Sequence, residues 1–269
     1  MDLGEPRAVA RSQRHDKRAI GSLPYETDPP PKFLRAAISR RMEHKTYMAQ
    51  FTCSAMLFDL DGVLIDSTPA VARVWTRWAK KHGFDPVQLV HEAHGRPSIS
   101  TIRQYLPHGD HERENEEVEQ AEIEDVEGVV ALPGAQELLD SIPKDRWTVV
   151  TSCTRKLAEV RLKAAGLRVP QRLVTASDIR NGKPHPEPYL KGASLLGVPA
   201  TACLAIEDVS AGIAAAKAAG AKVVGMRTTV GDEELRNAGA DWIVKDCKAI
   251  IVKARNHELS ITVDEDSTS

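Results

Sequence analysis

From residue 54 onward, short apolar and β-branched runs alternate with longer stretches in which apolar positions recur every three or four residues. The runs near 54–59, 146–151, 172–176, 203–207, 222–226 and 242–245 read as strands, and the intervals as helices. Helices over 154–165, 187–196 and 209–219 stop at Gly166, Gly197 and Gly220, residues suited to a left-handed cap. Such alternation predicts an α/β fold built on a Rossmann-like parallel sheet. The interval between the first two strands, 68–131, reads as helical throughout. Val71, Val74, Trp75 and Trp78 recur at helical spacing after Ser67-Thr68-Pro69, an N-cap followed by proline in the first turn. Residues 250–263 alternate around Asn256-His257, which predicts a terminal hairpin. The organisation expected is therefore a core over 50–67 and 132–249, a helical insertion over 68–131, and a hairpin with a frayed tail over 250–269.

Residues 1–49 carry ten Lys or Arg against six Asp or Glu, with Pro29-Pro30-Pro31 in the middle and poor apolar periodicity. Little stable structure is expected there. The segment lacks the continuous apolar run of a secretory signal, and its acids argue against a transit peptide despite the arginines. A start of translation at Met42 or Met48 is the alternative. A net charge of −2 gives no reason to invoke nucleic acid or a membrane surface. No apolar stretch approaches the ~18 residues of a membrane span. Cys53, Cys153, Cys203 and Cys247 have no paired spacing, which suits reduced thiols in a cytoplasmic protein. Residues 110–127 hold ten acids and one arginine, the pattern of a solvated helix face.

Candidate chemistry collects where the strands end, the place ligands bind in open α/β sheets. In Phe58-Asp59-Leu60-Asp61-Gly62, two carboxylates sit two residues apart and so point to the same side of an extended chain. One acid can stay ionised and attack. Crowding beside a like charge lets the other hold a proton to donate. The strand near 146–151 runs into Thr151-Ser152-Cys153-Thr154. A loop fixed by prolines presents Lys183 in Gly182-Lys183-Pro184-His185-Pro186, and the strand 203–207 ends in Glu207-Asp208. Taken singly these are ordinary: Asp61 or Asp208 could cap a turn, Lys183 could be a surface lysine, and Ser152 could cap the next helix. Asp66 reads as support for the turn after the first acids. Together, an acid nucleophile, a hydroxyl, a lysine and an acid pair make the equipment of phosphoryl transfer at a Mg²⁺ site.

These four motifs, in this order, resemble the haloacid dehalogenase-like (HAD) hydrolase superfamily over roughly residues 54–250. The runs His94-Gly95-Arg96-Pro97-Ser98, Gly182-Lys183-Pro184-His185-Pro186 and Gly239-Ala240-Asp241-Trp242 are similar to phosphatases of glycerol 3-phosphate and 2-deoxyglucose 6-phosphate. The resemblance implies the HAD fold, with 68–131 as a small α-helical cap closing over the substrate. It implies Mg²⁺-dependent hydrolysis of a small sugar or polyol phosphate through an aspartyl-phosphate. Asp59 would be the nucleophile and Asp61 the acid and base. The Asp59 carboxylate, the Asp61 carbonyl and Asp208 would hold Mg²⁺, with Glu207 orienting a metal-bound water. Lys183, the Ser152 hydroxyl and the Cys153 amide would bind phosphate. Cys153 stands where these phosphatases usually carry glycine, and is expected to sensitise the enzyme to oxidants. His94, Arg96 and Arg103 are cap candidates for substrate contact, whereas Trp75 and Trp78 read as cap core. A monomer or weak dimer is expected. One alternative is a phosphosugar mutase like β-phosphoglucomutase. Another is a non-catalytic phosphosugar-binding protein, against which the presence of Asp59 and Lys183 argues. A dehalogenase would not need the acid at Asp61.

Overall fold

The computed structural model describes residues 48–93, 96–256 and 258–265. The chain begins with β1 (Met48–Cys53), β2 (Ala55–Phe58) and β3 (Ile65–Asp66). Four helices follow: α1 (Thr68–His82), α2 (Pro86–Ala93), α3 (Ser98–Tyr105) and α4 (His111–Glu124). Then come β4 (Val130–Ala131), α5 (Ala135–Ser141), β5 (Trp147–Val149), α6 (Arg155–Ala164) and α7 (Glu187–Leu195). The last part holds β6 (Cys203–Glu207), α8 (Ser210–Ala218), β7 (Lys222–Met226), α9 (Asp232–Ala238), β8 (Trp242–Val244), β9 (Ile250–Arg255) and β10 (Glu258–Asp264).

The central sheet is parallel, in the order β5-β2-β6-β7-β8. Every residue of β2 and β6 is buried, as strands covered on both faces must be. Side chains alternate between the faces. Met56, Phe58, Leu204 and Ile206 pack with Leu138 and Leu139 of α5 and Leu162 of α6. Ala55, Leu57 and Ala205 pack on the other side with Tyr189 of α7 and Ile213 of α8. Each large apolar side chain taken fully out of water contributes about 1.5–3 kcal/mol, so these two layers dominate the stability of the sheet.

Two departures from the sequence pattern have physical causes, one local and one distant in sequence. Residues 172–176 form one bridge, Val150 to Val174, rather than a strand. The Asp178 carboxylate captures both the N–H and the hydroxyl of Thr175, taking that amide from any ladder and starting a short 3₁₀ turn. At the other end, β1 begins at Met48, inside the segment expected to lack structure. It pairs with β10, which pairs with β9 in a three-stranded antiparallel sheet. Residues 1–47 lie outside the described residues.

The helical insertion leaves and rejoins the sheet at one place. β3 and β4 pair antiparallel there, Ile65 opposite Ala131 and Asp66 opposite Val130. Helices α1–α4 have a core of their own around Val74, Trp75, Trp78, Leu89, Ile102 and Val118. Helix α1 has proline in its first turn and ends at Gly83, whose φ of 76° lets its N–H reach the Ala79 and Lys80 carbonyls. Ser67, expected to cap this helix with its side chain, makes no such bond. Its hydroxyl is turned to Asp61 instead. Among the described residues, no helix is long and apolar enough to cross a membrane.

Candidate active site

The carboxyl ends of β2 and β6 are neighbours in the sheet, and this alone brings Asp59 beside Glu207 and Asp208. All three are buried, and an oxygen of each lies within 4.8 Å of the others. Lys183 reaches in from the loop before α7. Its Nζ is 2.6 Å from Asp59 Oδ1 and 2.6 Å from Glu207 Oε1. The buried Tyr189 hydroxyl donates to the same Glu207 oxygen, and Glu207 Oε2 accepts the Asp208 amide. Glu207, expected to orient a metal-bound water, also pairs with the lysine. Asp208 accepts a bond from Thr229, while its Oδ1 is buried with no donor.

Two glycines make this crowding possible. A Cβ on Gly212 would lie 1.9 Å from Glu207 Oε1, and one on Gly62 would lie 2.0 Å from Asp208 Oδ2. Gly62 also has a φ of 81°, a left-handed conformation that glycine adopts freely.

The electrostatics follow from burial and crowding. Burial pushes the Asp59 carboxyl up to about 7; Lys183 opposes this, while Glu207 and Asp61 add to it. Burial, then Asp59 and Glu207, hold the Asp208 carboxyl well above the usual carboxylate range. Burial alone would lower the Lys183 ammonium, yet Asp59 and Glu207 outweigh it and raise it. Three buried acids share one ammonium, and one buried acid oxygen has no donor at all. A hard divalent cation with oxygen ligands fits that donor set.

Asp61 is held apart from this cluster by its own partners. Its Oδ1 accepts Ser67 Oγ at 2.5 Å and Arg161 Nη1 at 3.0 Å, and its Oδ2 accepts Cys153 Sγ at 3.2 Å. Arg161 lies on the buried side of α6 and also donates to the Cys153 sulfur, at 3.2 Å. Cys153, expected to sensitise the enzyme to oxidants, is a free thiol that faces both Asp61 and Arg161. Burial, then the Asp61 charge, push the thiol well above its ordinary range, while Arg161 opposes this. The Cys153 amide, expected to bind phosphate, donates to Thr151 Oγ1 at 3.1 Å.

A cavity of about 140 Å³ lies between these residues and the helical insertion. Asp59, Asp61, Ser152, Cys153 and Lys183 line it from the sheet, and Trp75, Arg96, Asn115, Glu119 and Glu122 from the insertion. Two acids of α4 reach across: Glu119 accepts the Thr154 hydroxyl, and Glu122 lies 3.4 Å from Arg161 Nη2. The expectation of a solvated helix face for 110–127 therefore fails at Glu119 and Glu122, which the docking of α4 on α6 turns inward, and at Glu114, which accepts the Trp78 ring N–H. Arg96 lines the cavity and bonds the Gln104 side chain at 2.9 Å. Arg103 is exposed, pairs with Glu112 and is not among the lining residues. His94 lies outside the described residues.

The motif residues converge, then, while Arg161, Tyr189, Ser67, Glu119 and Glu122 were missed by the sequence reading. Arg161 and Tyr189 stand at core-facing helix positions, the one signal that was available for them.

Residues 56–226 match the family model described as haloacid dehalogenase-like hydrolase, and the chain belongs to that family. It is 41% identical over 177 residues to hexitol phosphatase A of Escherichia coli, covering 64% of this chain and 82% of the relative. It is 38% identical over 217 residues to glycerol-1-phosphate phosphohydrolase 2 of Saccharomyces cerevisiae, covering 76% and 87%. Among solved structures, a hydrolase from Pseudomonas syringae superposes with a TM-score of 0.66 at 29% identity, over 72% of this chain and 94% of that one. The protein is a hydrolase of this family, and these curated relatives are named for phosphate esters of polyols.

Proposed function

We propose that the protein is a Mg²⁺-dependent phosphatase of small sugar or polyol phosphates, acting through an aspartyl-phosphate on Asp59. The observation that carries this reading is Lys183, held between Asp59 and Glu207 on the floor of a cavity that also contains Asp61. An ammonium there steers Asp59 Oδ1 and offers positive charge to phosphoryl oxygens. The names of the relatives support the substrate class.

Asp59 attacks phosphorus, forming one P–O bond as the bond to the alcohol breaks. Asp61 gives its proton to the departing alkoxide and later takes one from the water that hydrolyses the acyl phosphate. Ser152 and Lys183 bind the remaining phosphoryl oxygens. The Cys153 amide can join them where a phosphate oxygen replaces the Thr151 hydroxyl. Asp59, the Asp61 carbonyl and Asp208 would hold Mg²⁺, which supplies fixed positive charge against the charge developing on the phosphoryl group. The helical insertion acts as the cap, excluding water from the cavity.

The test is phosphate release from a panel of polyol and sugar phosphates, with Mg²⁺ and with EDTA, by wild type and Asp59→Asn. Turnover that needs Mg²⁺ and vanishes in the variant is expected. Equal release by both proteins would assign the attack to another group. No release from any ester, together with turnover of β-glucose 1-phosphate in the presence of a sugar bisphosphate, would make the protein a mutase.

A further inference from the structure

The guanidinium of Arg161 is almost fully enclosed, its side chain 5% exposed, and it joins two carboxylates of different parentage. One is Asp61, at 3.0 Å, from the loop after β2. The other is Glu122, at 3.4 Å, from α4 of the insertion. A buried arginine has five donors in a fixed plane and cannot lose its proton, so whatever it bonds is held in direction as well as distance. With Ser67 and Arg161 on Oδ1 and Cys153 on Oδ2, rotation of the Asp61 carboxylate is fixed from three sides. A carboxylate has about four lone-pair directions, so about one remains for a substrate.

We propose that Arg161 is a positioning residue for Asp61, and that Glu122 carries this positioning to the insertion, so that α4 docked on α6 sets the direction of the proton donor. The proposal rests on the reading of Asp61 as acid and base. While α4 is docked, Glu122 shares the guanidinium and limits how far it can draw Asp61 toward itself. Withdrawal of α4 would leave Asp61 as the sole acid on Arg161 among these partners.

The chemistry supplies a selective readout. As the Asp59–phosphorus bond forms, an alkoxide leaving group needs a proton from Asp61, whereas p-nitrophenolate departs as a stable anion without one. A general acid is worth about 10²–10⁴-fold where it is needed. Arg161→Lys and Glu122→Gln are to be compared with wild type and Asp59→Asn, using glycerol phosphate and p-nitrophenyl phosphate, with folding checked by circular dichroism. In Arg161→Lys, kcat/KM for glycerol phosphate should fall by about 10–100-fold, a share of the general-acid effect. Its value for p-nitrophenyl phosphate should stay within about three-fold of wild type, since that step asks nothing of the acid. Glu122→Gln should shift the same ratio in the same direction by less. Equal losses on both substrates would mean a merely structural role and overturn the proposal, as would no loss on either. If Arg161→Lys fails to fold, the ratio in Glu122→Gln decides in the same way. Absence of Mg²⁺-dependent release by wild type, or its persistence in Asp59→Asn, would overturn the underlying reading of the site and this proposal with it.

Discussion

At the scale of single residues, the site is a problem in fitting several charges into a space with little water. Lys183 makes two close ion pairs, and Glu207 is tied down by Lys183, Tyr189 and a backbone amide together. Gly212 bears most directly on this, because a methyl group there would overlap a carboxylate that has nowhere to retreat. Gly212→Ala is expected to displace Glu207 and with it Lys183. It should cost about 1–3 kcal/mol of stability as an overpacked interior does. Phosphatase turnover should fall by more than a factor of ten, since a misplaced charge acts on the barrier directly. Urea unfolding and steady-state kinetics on the same preparation measure both. Unchanged kinetics in a folded variant would mean that Glu207 does not govern the lysine.

At the scale of elements, the helices of the insertion are amphipathic in two senses. Trp78 of α1 meets Trp75 with ring centroids 5.5 Å apart and Phe84 at 5.9 Å, while its Nε1 donates to Glu114 of α4 at 2.9 Å. One side chain thus fills the apolar seam and anchors the acidic helix. Trp78→Ala should destabilise the fold by about 3–5 kcal/mol, the usual cost of emptying such a site. It should also raise KM, because α4 carries the acids that face the cavity; denaturation curves and saturation kinetics test the two parts. Elements differ in how far the sequence exposes them. The strand ends with Asp59, Ser152 and Asp208 and the proline-fixed loop with Lys183 are legible because the chemistry sits next to the local pattern that positions it. Arg161 lies 100 residues from Asp61, and Glu122 belongs to a run of acids that looks solvated; only the packing of α4 on α6 selects them. Strand β1 is hidden for a related reason, since its partner β10 lies at the other end of the chain.

For the molecule as a whole, burying acids around the proposed Mg²⁺ site ties stability to protonation and to the binding proposed there. The Asp59 carboxyl, pushed up to about 7 chiefly by burial, lies above its unfolded value of about 3.9. A raised acid keeps its proton longer in the folded state. Its stabilising contribution is therefore full below the unfolded value and is lost as pH rises through about 7. Asp208 is shifted in the same direction. Metal-free protein should melt at a lower temperature at about pH 8 than at about pH 5 from these two groups. Mg²⁺ should raise the melting temperature more at the higher pH, where it does not compete with protons. At a hundred times its dissociation constant the ion would add about 2.7 kcal/mol. Differential scanning calorimetry with and without Mg²⁺ at both pH values checks this, and a pH-independent shift would place the ion elsewhere.

The β3–β4 pair has a broader consequence. Because the chain departs and comes back through two strands bonded to each other, the helices hang from the sheet by a single stem. A change of length or sequence among those helices need not disturb the register of the strands beneath. The residues proposed to break the ester and those of the insertion that line the cavity therefore lie in separate stretches of the chain, and they meet in space where Glu122 pairs with Arg161.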